Sequence, residues 1–422
     1  MILGWPFPKR VQLLQELEKT TTGRTYALRF QSKLQYFQVY SVPIDMPKYR
    51  LKNGRTAAAQ IEYLATHTKT PRDLFSADLE SDAAQKVQHE LLKSLVSDSG
   101  LFDYFKEPQH EQELPFVLTN TGFIVNGNRR VCAMRELLDD QDGAYQRFRT
   151  IDIVVLPPSD ESDIDWLEGK EQIHKDITAD YSWVTTAVMY RNRMTEHDQN
   201  INYVSQLYEV DKAEIAAMID MLAHAESYLH DRGKDGYYSL VEGSEYAFRQ
   251  LRKFRPKLDS EGKKEVYDQL CYAVIEDPEG DRVYQAVASV SKYFNSVIST
   301  MQSEFDIREK ATTGAGSLLG AGPSAMVAAL LGVLRDEDKR PQVREVIREV
   351  LASETEKDRE RKKGNLVLSR VKRSQGLLAE AVSALNEETP KGGVAEILEA
   401  IEGSIAELKR WLDGNAKGPL RR

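Results

Sequence analysis

The spacing of apolar residues changes near residue 180, and the change predicts two kinds of structure joined end to end. Before it, short apolar runs alternate with helical repeats. Phe116 to Leu118 and Phe123 to Val125, separated by Thr119 to Gly122, predict a β-hairpin. Other strands are expected over about 36–44 and 151–156. Helices are expected over about 56–67 and 82–97, the second with Ala84, Val87, Leu91 and Leu95 at spacings of three and four. Pro157, Pro158 and the polar run Ser159 to Asp163 mark a boundary loop, leading into an acidic helix from Asp160 to Leu167. The mixture predicts one α+β domain over residues 1–180.

From Tyr181 onward the strand signals nearly vanish, and an all-α region is expected. Within 181–256, Val204 and Leu207, a break at Glu209 to Asp211, and Ile215, Met218, Ile219 and Leu222 form a candidate helix-turn-helix. Its second helix shows Lys212, Glu214 and Asp220, with no arginine or paired amide to read base edges, so plain helical packing competes with DNA reading. A helical C-terminal domain is expected over 257–422. Thr313 to Gly332 is glycine-rich but lacks the GK[ST] ending of a phosphate loop, and predicts a hinge into an Ala/Leu helix. Two amphipathic helices follow, one with Leu378, Ala381, Val382 and Leu385, the other with Ile397, Ile401, Ile405, Leu408 and Leu412. Pro390, Gly392 and Gly393 turn the chain between them. Such a hairpin buries its stripe on other helices or a second subunit, so a homo-oligomer or a protein partner is expected there.

Composition narrows the function classes. At 422 residues, 41% hydrophobic and 29% charged, the chain has the makeup of a soluble globular protein. A net charge of −9 and a pI near 5.5 argue against a surface coated for unspecific nucleic-acid binding. Any DNA contact is then a local patch, and Lys357 to Arg373 is the candidate, with eight basic residues against two acidic ones. A solvated helix face is the alternative. Two cysteines, Cys132 and Cys271, give no disulfide framework and point to a cytoplasmic setting. The N-terminal MILGWPFPKR does not read as a signal peptide, and Ala325 to Leu334 is too short to cross a membrane.

The candidate chemistry lies just after the hairpin. Val131, Met134 and Leu138 repeat at helical spacing, so Gly127 to Arg130 sits on a strand-to-helix turn. Gly127 lets the backbone approach a ligand, and the free amides and positive dipole of the new helix favour an anion. Arg129 and Arg130 add forked donors that suit phosphate oxygens. Arginines that merely pair with surface carboxylates are the bland alternative.

GNRRVCA, Gly127 to Ala133, resembles the GxRRxxA box of the ParB partition proteins, which binds nucleotide phosphates on such a turn. EQIHKD, Glu171 to Asp176, resembles the family's ENxxR motif, and VPIDMPKYRLKNGRT, Val42 to Thr56, is similar to its opening strand and arginine-bearing loop. Together these cover roughly residues 36 to 250. The resemblance implies a ParB/sulfiredoxin-like domain binding a nucleoside triphosphate, CTP or ATP, with Mg²⁺. It implies phosphates on Gly127, Asn128, Arg129 and Arg130, the base beside Arg50 or Arg55, and Glu171 as the metal-holding catalytic residue aided by Gln172 and Lys175. It further implies an NTPase switch in which nucleotide closes a dimer around DNA. Asn128 stands where the box usually has Glu, Gln172 where the motif has Asn, and Lys175 where it has Arg. The sulfiredoxin enzymes, which share the fold, keep a catalytic cysteine at the position of Asn128, so their chemistry is not expected. Cys132 is expected to be a small buried helix residue. Two rival readings remain: a metal-dependent nuclease using Asp160, Glu168 and Lys170, and a non-catalytic interaction scaffold.

Overall fold

A computed structural model describes residues 1–139, 143–173, 181–276, 283–307, 325–385 and 392–414. Pro8, with its fixed φ and no amide to leave unpaired, sits in the first turn of α1 (Phe7–Leu17), whose buried side is made by Arg10 and Leu14. β1 (Thr25–Phe30) and β2 (Lys33–Gln38) form an antiparallel ribbon in register from Thr25 with Gln38 to Phe30 with Lys33. Its tight turn holds Gln31 and Ser32 at φ of 50° and 62°. No glycine or asparagine announces that turn, which is why periodicity alone merged β2 with the next strand. The sheet strand proper is β3 (Tyr40–Pro43).

β4 (Lys48–Tyr49), α2 (Ala57–Thr66), α3 (Asp82–Asp98), α4 (Leu101–Lys106), β5 (Phe116–Leu118), β6 (Phe123–Asn126), α5 (Asn128–Asp139), β7 (Thr150–Val155) and α6 (Glu161–Ile173) complete the α+β part. Five strands join in the order β3-β7-β5-β6-β4. β3 and β7 are antiparallel, β7 and β5 parallel, β5 and β6 antiparallel, β6 and β4 parallel.

The sheet is apolar on both faces, and the period of two sorts its residues. Phe116, Leu118, Ile124, Ile151 and Ile153 enter one core with Leu92, Val131 and Met134. Val117, Val125, Val154 and Leu156 enter a second with Leu28, Phe30, Ile164 and Leu167. The ribbon and α6 therefore cover one face, and α3 and α5 the other.

Helices take over at Trp183. α7 (Trp183–Glu196), α8 (Ile201–Tyr208) and α9 (Lys212–Asp231) begin at Ser182, Asn200 and Asp211, each side chain accepting from a first-turn amide. α10 (Glu245–Phe254), α11 (Glu261–Glu276), α12 (Val283–Lys292), α13 (Phe294–Glu304), α14 (Ala325–Arg335), α15 (Arg340–Ser383) and α16 (Val394–Leu412) follow. Among the described residues no strand occurs after β7. A third core runs from Trp183 to Val350 and takes in Ala58 of α2. The molecule is thus mixed α+β. By contacts it divides into two compact units, Met1–Leu351 and Ala352–Arg422.

Candidate functional site

β6 delivers the chain to Gly127, which sits at φ +108°. A Cβ there would lie 2.2 Å from Cδ1 of buried Phe116, so glycine alone lets the strand turn directly into α5. Asn128, the first residue of α5, is buried; its Nδ2 donates to the Ile124 carbonyl at 3.0 Å. Its Oδ1 has no hydrogen-bond partner. The first amides of α5 have no acceptor within the helix, and they face the same end as the dipole's positive pole.

Arg129 is half-buried at this end. Burial, and then the positive charge of Arg55, push its pKa down to about 10. Arg55 arrives from the loop between β4 and α2, and its guanidinium lies 4.4 Å from the centre of the Tyr181 ring. The Tyr181 hydroxyl is buried without a hydrogen-bond partner. Burial holds that phenol above its usual range against the opposing charges of Arg55 and Arg129. Among the described residues, no carboxylate pairs with Arg129 or Arg55. Two arginines and a phenol thus share one corner without a paired carboxylate among the described residues.

Arg130 takes another direction. Its guanidinium lies 4.9 Å from the centre of the Phe116 ring, with Nη1 3.5 Å from the Leu114 carbonyl.

Arg50 is committed elsewhere. Glu161, Asp165 and Glu168 share one face of α6 at spacings of four and three, and all bond to it, at 2.6, 2.6 and 2.7 Å. Arg193 of α7 joins them through Asp165 at 2.5 Å and Glu168 at 3.4 Å. Glu168 also accepts from the Gly54 amide at 3.3 Å, so this buried network fixes the loop that carries Arg55. Of the two arginines expected beside a base, only Arg55 keeps its guanidinium clear of carboxylates among the described residues.

Glu171 and Gln172 close α6, but their side chains lie outside the described residues, as does Lys175 entirely. No described carboxylate stands beside Arg129 to take Mg²⁺, so the described side chains do not by themselves fit a metal there. Asp165, Glu196 and His197 bring potential ligand atoms within 4.8 Å of one another. Yet Asp165 already meets Arg50 and Arg193, with Lys52 at 3.4 Å, and Glu196 meets Lys52 at 3.2 Å and Arg193 at 2.8 Å. Three cations fill the place a metal ion would take, and the donor set suits ion pairing.

The three residues of the nuclease reading have separate partners. Asp160 accepts from the Ser162 hydroxyl at 2.8 Å and the Asp163 amide at 2.9 Å, Lys170 pairs with Glu209 at 2.6 Å, and Glu168 belongs to the Arg50 network.

A relay-like set lies in the α+β core. His89 bonds to Glu136 through Nε2 at 2.8 Å and to the Tyr49 hydroxyl through Nδ1 at 2.9 Å, with Cys132 Sγ 3.6 Å from Nδ1. Cys132 is fully buried, and burial, then the Glu136 charge, push its thiol up to about 12. A thiol held protonated and away from solvent is packing, as its helical position suggested.

The candidate nucleic-acid elements differ in charge. α9 buries Ile215, Met218, Met221 and Leu222. Its exposed positions include Lys212, Ala213, Ala216, Asp220 and Ala223, with Asp220 paired to Arg252 at 2.8 Å. In α15, Arg361, Lys362, Arg370, Lys372 and Arg373 are exposed and have no carboxylate partner among the described residues. Tyr181 and Arg193 went unnoticed in the sequence because neither belongs to a local motif. The acidic helix was legible from Asp160 to Leu167, but it continues to Ile173, and the face shared by Glu161, Asp165 and Glu168 emerged only in the structure. Among the described residues no helix is long and apolar enough to cross a membrane. No family model, no curated protein and no solved structure matches the chain.

Proposed function

We propose that residues 1–180 form a ParB-like nucleotide-binding domain that takes the phosphates of CTP or ATP at the Gly127–Arg130 turn. The whole chain then works on DNA or in a DNA-linked assembly. One observation carries this reading: Arg129 and Arg55 approach each other, with Arg129 half-buried, and no carboxylate among the described residues balances them. Like charges held together in a partly desolvated place raise the free energy of the empty protein, and an anion between them removes that repulsion. The amides at the start of α5 add donors for an anion, and the unpartnered Tyr181 hydroxyl offers a further one nearby. Arg129 would hold phosphate directly, Arg55 would bridge phosphate and base, and Arg130 would act from the rim.

The resemblance assigns Mg²⁺ to Glu171, with Gln172 and Lys175 beside the triphosphate. No described side chain substitutes for them, and the described residues account for triphosphate binding alone. DNA contact is assigned to the basic stretch of α15, where phosphate-binding charge is exposed.

The test is a thermal-shift and calorimetric titration with the four ribonucleoside triphosphates and inorganic triphosphate, with and without Mg²⁺ and duplex DNA. One or more triphosphates should raise the melting temperature and bind stoichiometrically. If none of these ligands changes the melting temperature or gives heat at millimolar concentration, the reading is wrong.

A further inference from the structure

Helix ends from α10, α11, α12 and α13 meet around an open cavity of about 540 Å³, within the size range of small-molecule sites. None of the residues that line it belongs to the Gly127 turn. A single residue, Tyr293, separates α12 from α13. Its amide still donates back to the Ser289 carbonyl at 2.9 Å, and the Val297 amide donates to the Tyr293 carbonyl at 3.0 Å. The amides of Phe294, Asn295 and Ser296 between them are the unpaired first donors of α13, and no side chain caps them. All three residues line the cavity.

Three lysines line it too, each from a different element. Lys257 follows α10, Lys263 stands in the first turn of α11, and Lys292 ends α12. Asp259 is the one carboxylate among the lining residues, and it pairs with Lys263 at 2.9 Å. Lys292 Nζ lies 2.9 Å from the Tyr293 hydroxyl. Lys257 meets no carboxylate among the described residues. Lysines on a convex surface are simply solvated, whereas a concave site lined by one sign of charge concentrates its field. The apolar part of the lining is Phe254, Leu258 and buried Phe294, the two rings edge to face at 6.3 Å.

Donors for an anion beside an apolar wall describe a ligand of two parts. Three amides and an excess of lysine over carboxylate match the three free oxygens and nearly double charge of a phosphate monoester better than a carboxylate. We propose that this cavity binds a small phosphate monoester, its phosphate on the α13 amides and the lysines, its organic part on Phe254, Leu258 and Phe294. The site is independent of the Gly127 turn.

The test is calorimetry on the Arg129→Gln chain, which lacks the central phosphate donor of the Gly127 corner. Phenyl phosphate should still bind one to one, and at least about threefold more tightly than inorganic phosphate. Replacing Lys257 and Lys292 with Gln, both exposed, should weaken phenyl phosphate about tenfold while far-UV circular dichroism stays unchanged. Ser296→Glu puts a carboxylate at the third position of α13, where it takes the place of the ligand. It should abolish binding and raise the melting temperature of the ligand-free chain by roughly 1 °C or more. No heat with phenyl phosphate, or binding unchanged in both cavity variants, would overturn the inference and leave the Gly127 reading untouched. Equal affinity for phenyl and inorganic phosphate would overturn the monoester assignment. Loss of duplex-DNA binding in place of phenyl phosphate binding in the lysine variant would make the cavity a nucleic-acid groove, and the inference would be wrong.

Discussion

Half-burial and a neighbouring guanidinium depress the pKa of Arg129 to about 10, below its ordinary 12.5. At neutral pH the residue is charged both folded and unfolded, so the depressed value counts wholly against the folded state. Arg129→Gln is therefore expected to raise the melting temperature of the ligand-free protein by roughly 2 °C. The same change should weaken triphosphate binding at least about tenfold in calorimetry, and Arg130→Gln, already engaged with Phe116, should weaken it less. A melting temperature that falls on Arg129→Gln would mean that the residue is structurally paired. His89 gives a pH signature of opposite origin. Burial, opposed by the hydrogen bond to Glu136, lowers its pKa below 6.5. The unfolded chain then takes up the proton first, so this stability is complete above pH 6.5 and drains away as pH falls toward the depressed value. Melting temperature should drop between pH 7 and 5, and His89→Gln should flatten the profile in part, because His224 is also depressed by burial. Gly127 was legible from sequence at this scale, and the reason is local: a strand and a helix joined by one residue demand a backbone that only glycine supplies.

α6 shows how an element's role depends on what packs against it. Its acidic character could be read along the chain, but not the partners of its three acids, since Arg50 lies 111 to 118 residues away. Asp165→Asn removes one charge from a buried set holding Arg50 and Arg193, and leaving arginines short of a partner there should cost about 3 kcal/mol or more by urea denaturation. Nucleotide affinity should fall with it, because Glu168 of the same network holds the Gly54 amide next to Arg55. A loss under 1 kcal/mol, which is about the worth of a surface pair, would show that water reaches the network. α15 and α9 are separated by salt. Replacing Arg370, Lys372 and Arg373 with Ala should flatten log affinity for DNA against log salt by roughly 2 to 3 units, and Lys212→Ala should not. The reverse result in fluorescence anisotropy would return DNA contact to α9. The ribbon of β1 and β2 escaped the sequence because Gln31 and Ser32 enter positive φ without being the residues that usually do so.

For the whole molecule, the change of periodicity near residue 180 corresponds to a change of core. The sheet cores use residues up to Leu167, and the helical core begins at Trp183. Both belong to one compact unit that ends at Leu351, because Ala58 and the start of α15 are drawn into the helical core. A chain ending at Leu351 should keep its cooperative melting and any triphosphate-induced shift. Loss of the melting transition would show that residues 352–422 are needed for the fold of the first unit. Sequence alone determined the hairpin, the glycine turn and the helical stripes, because each rests on steric rules or repeats that act over a few residues. Only the tertiary structure decided that Arg50 is consumed by carboxylates while Arg55 stands with Arg129 and Tyr181. Charges brought together by folding are set by which faces of distant elements meet, and no local spacing records that meeting.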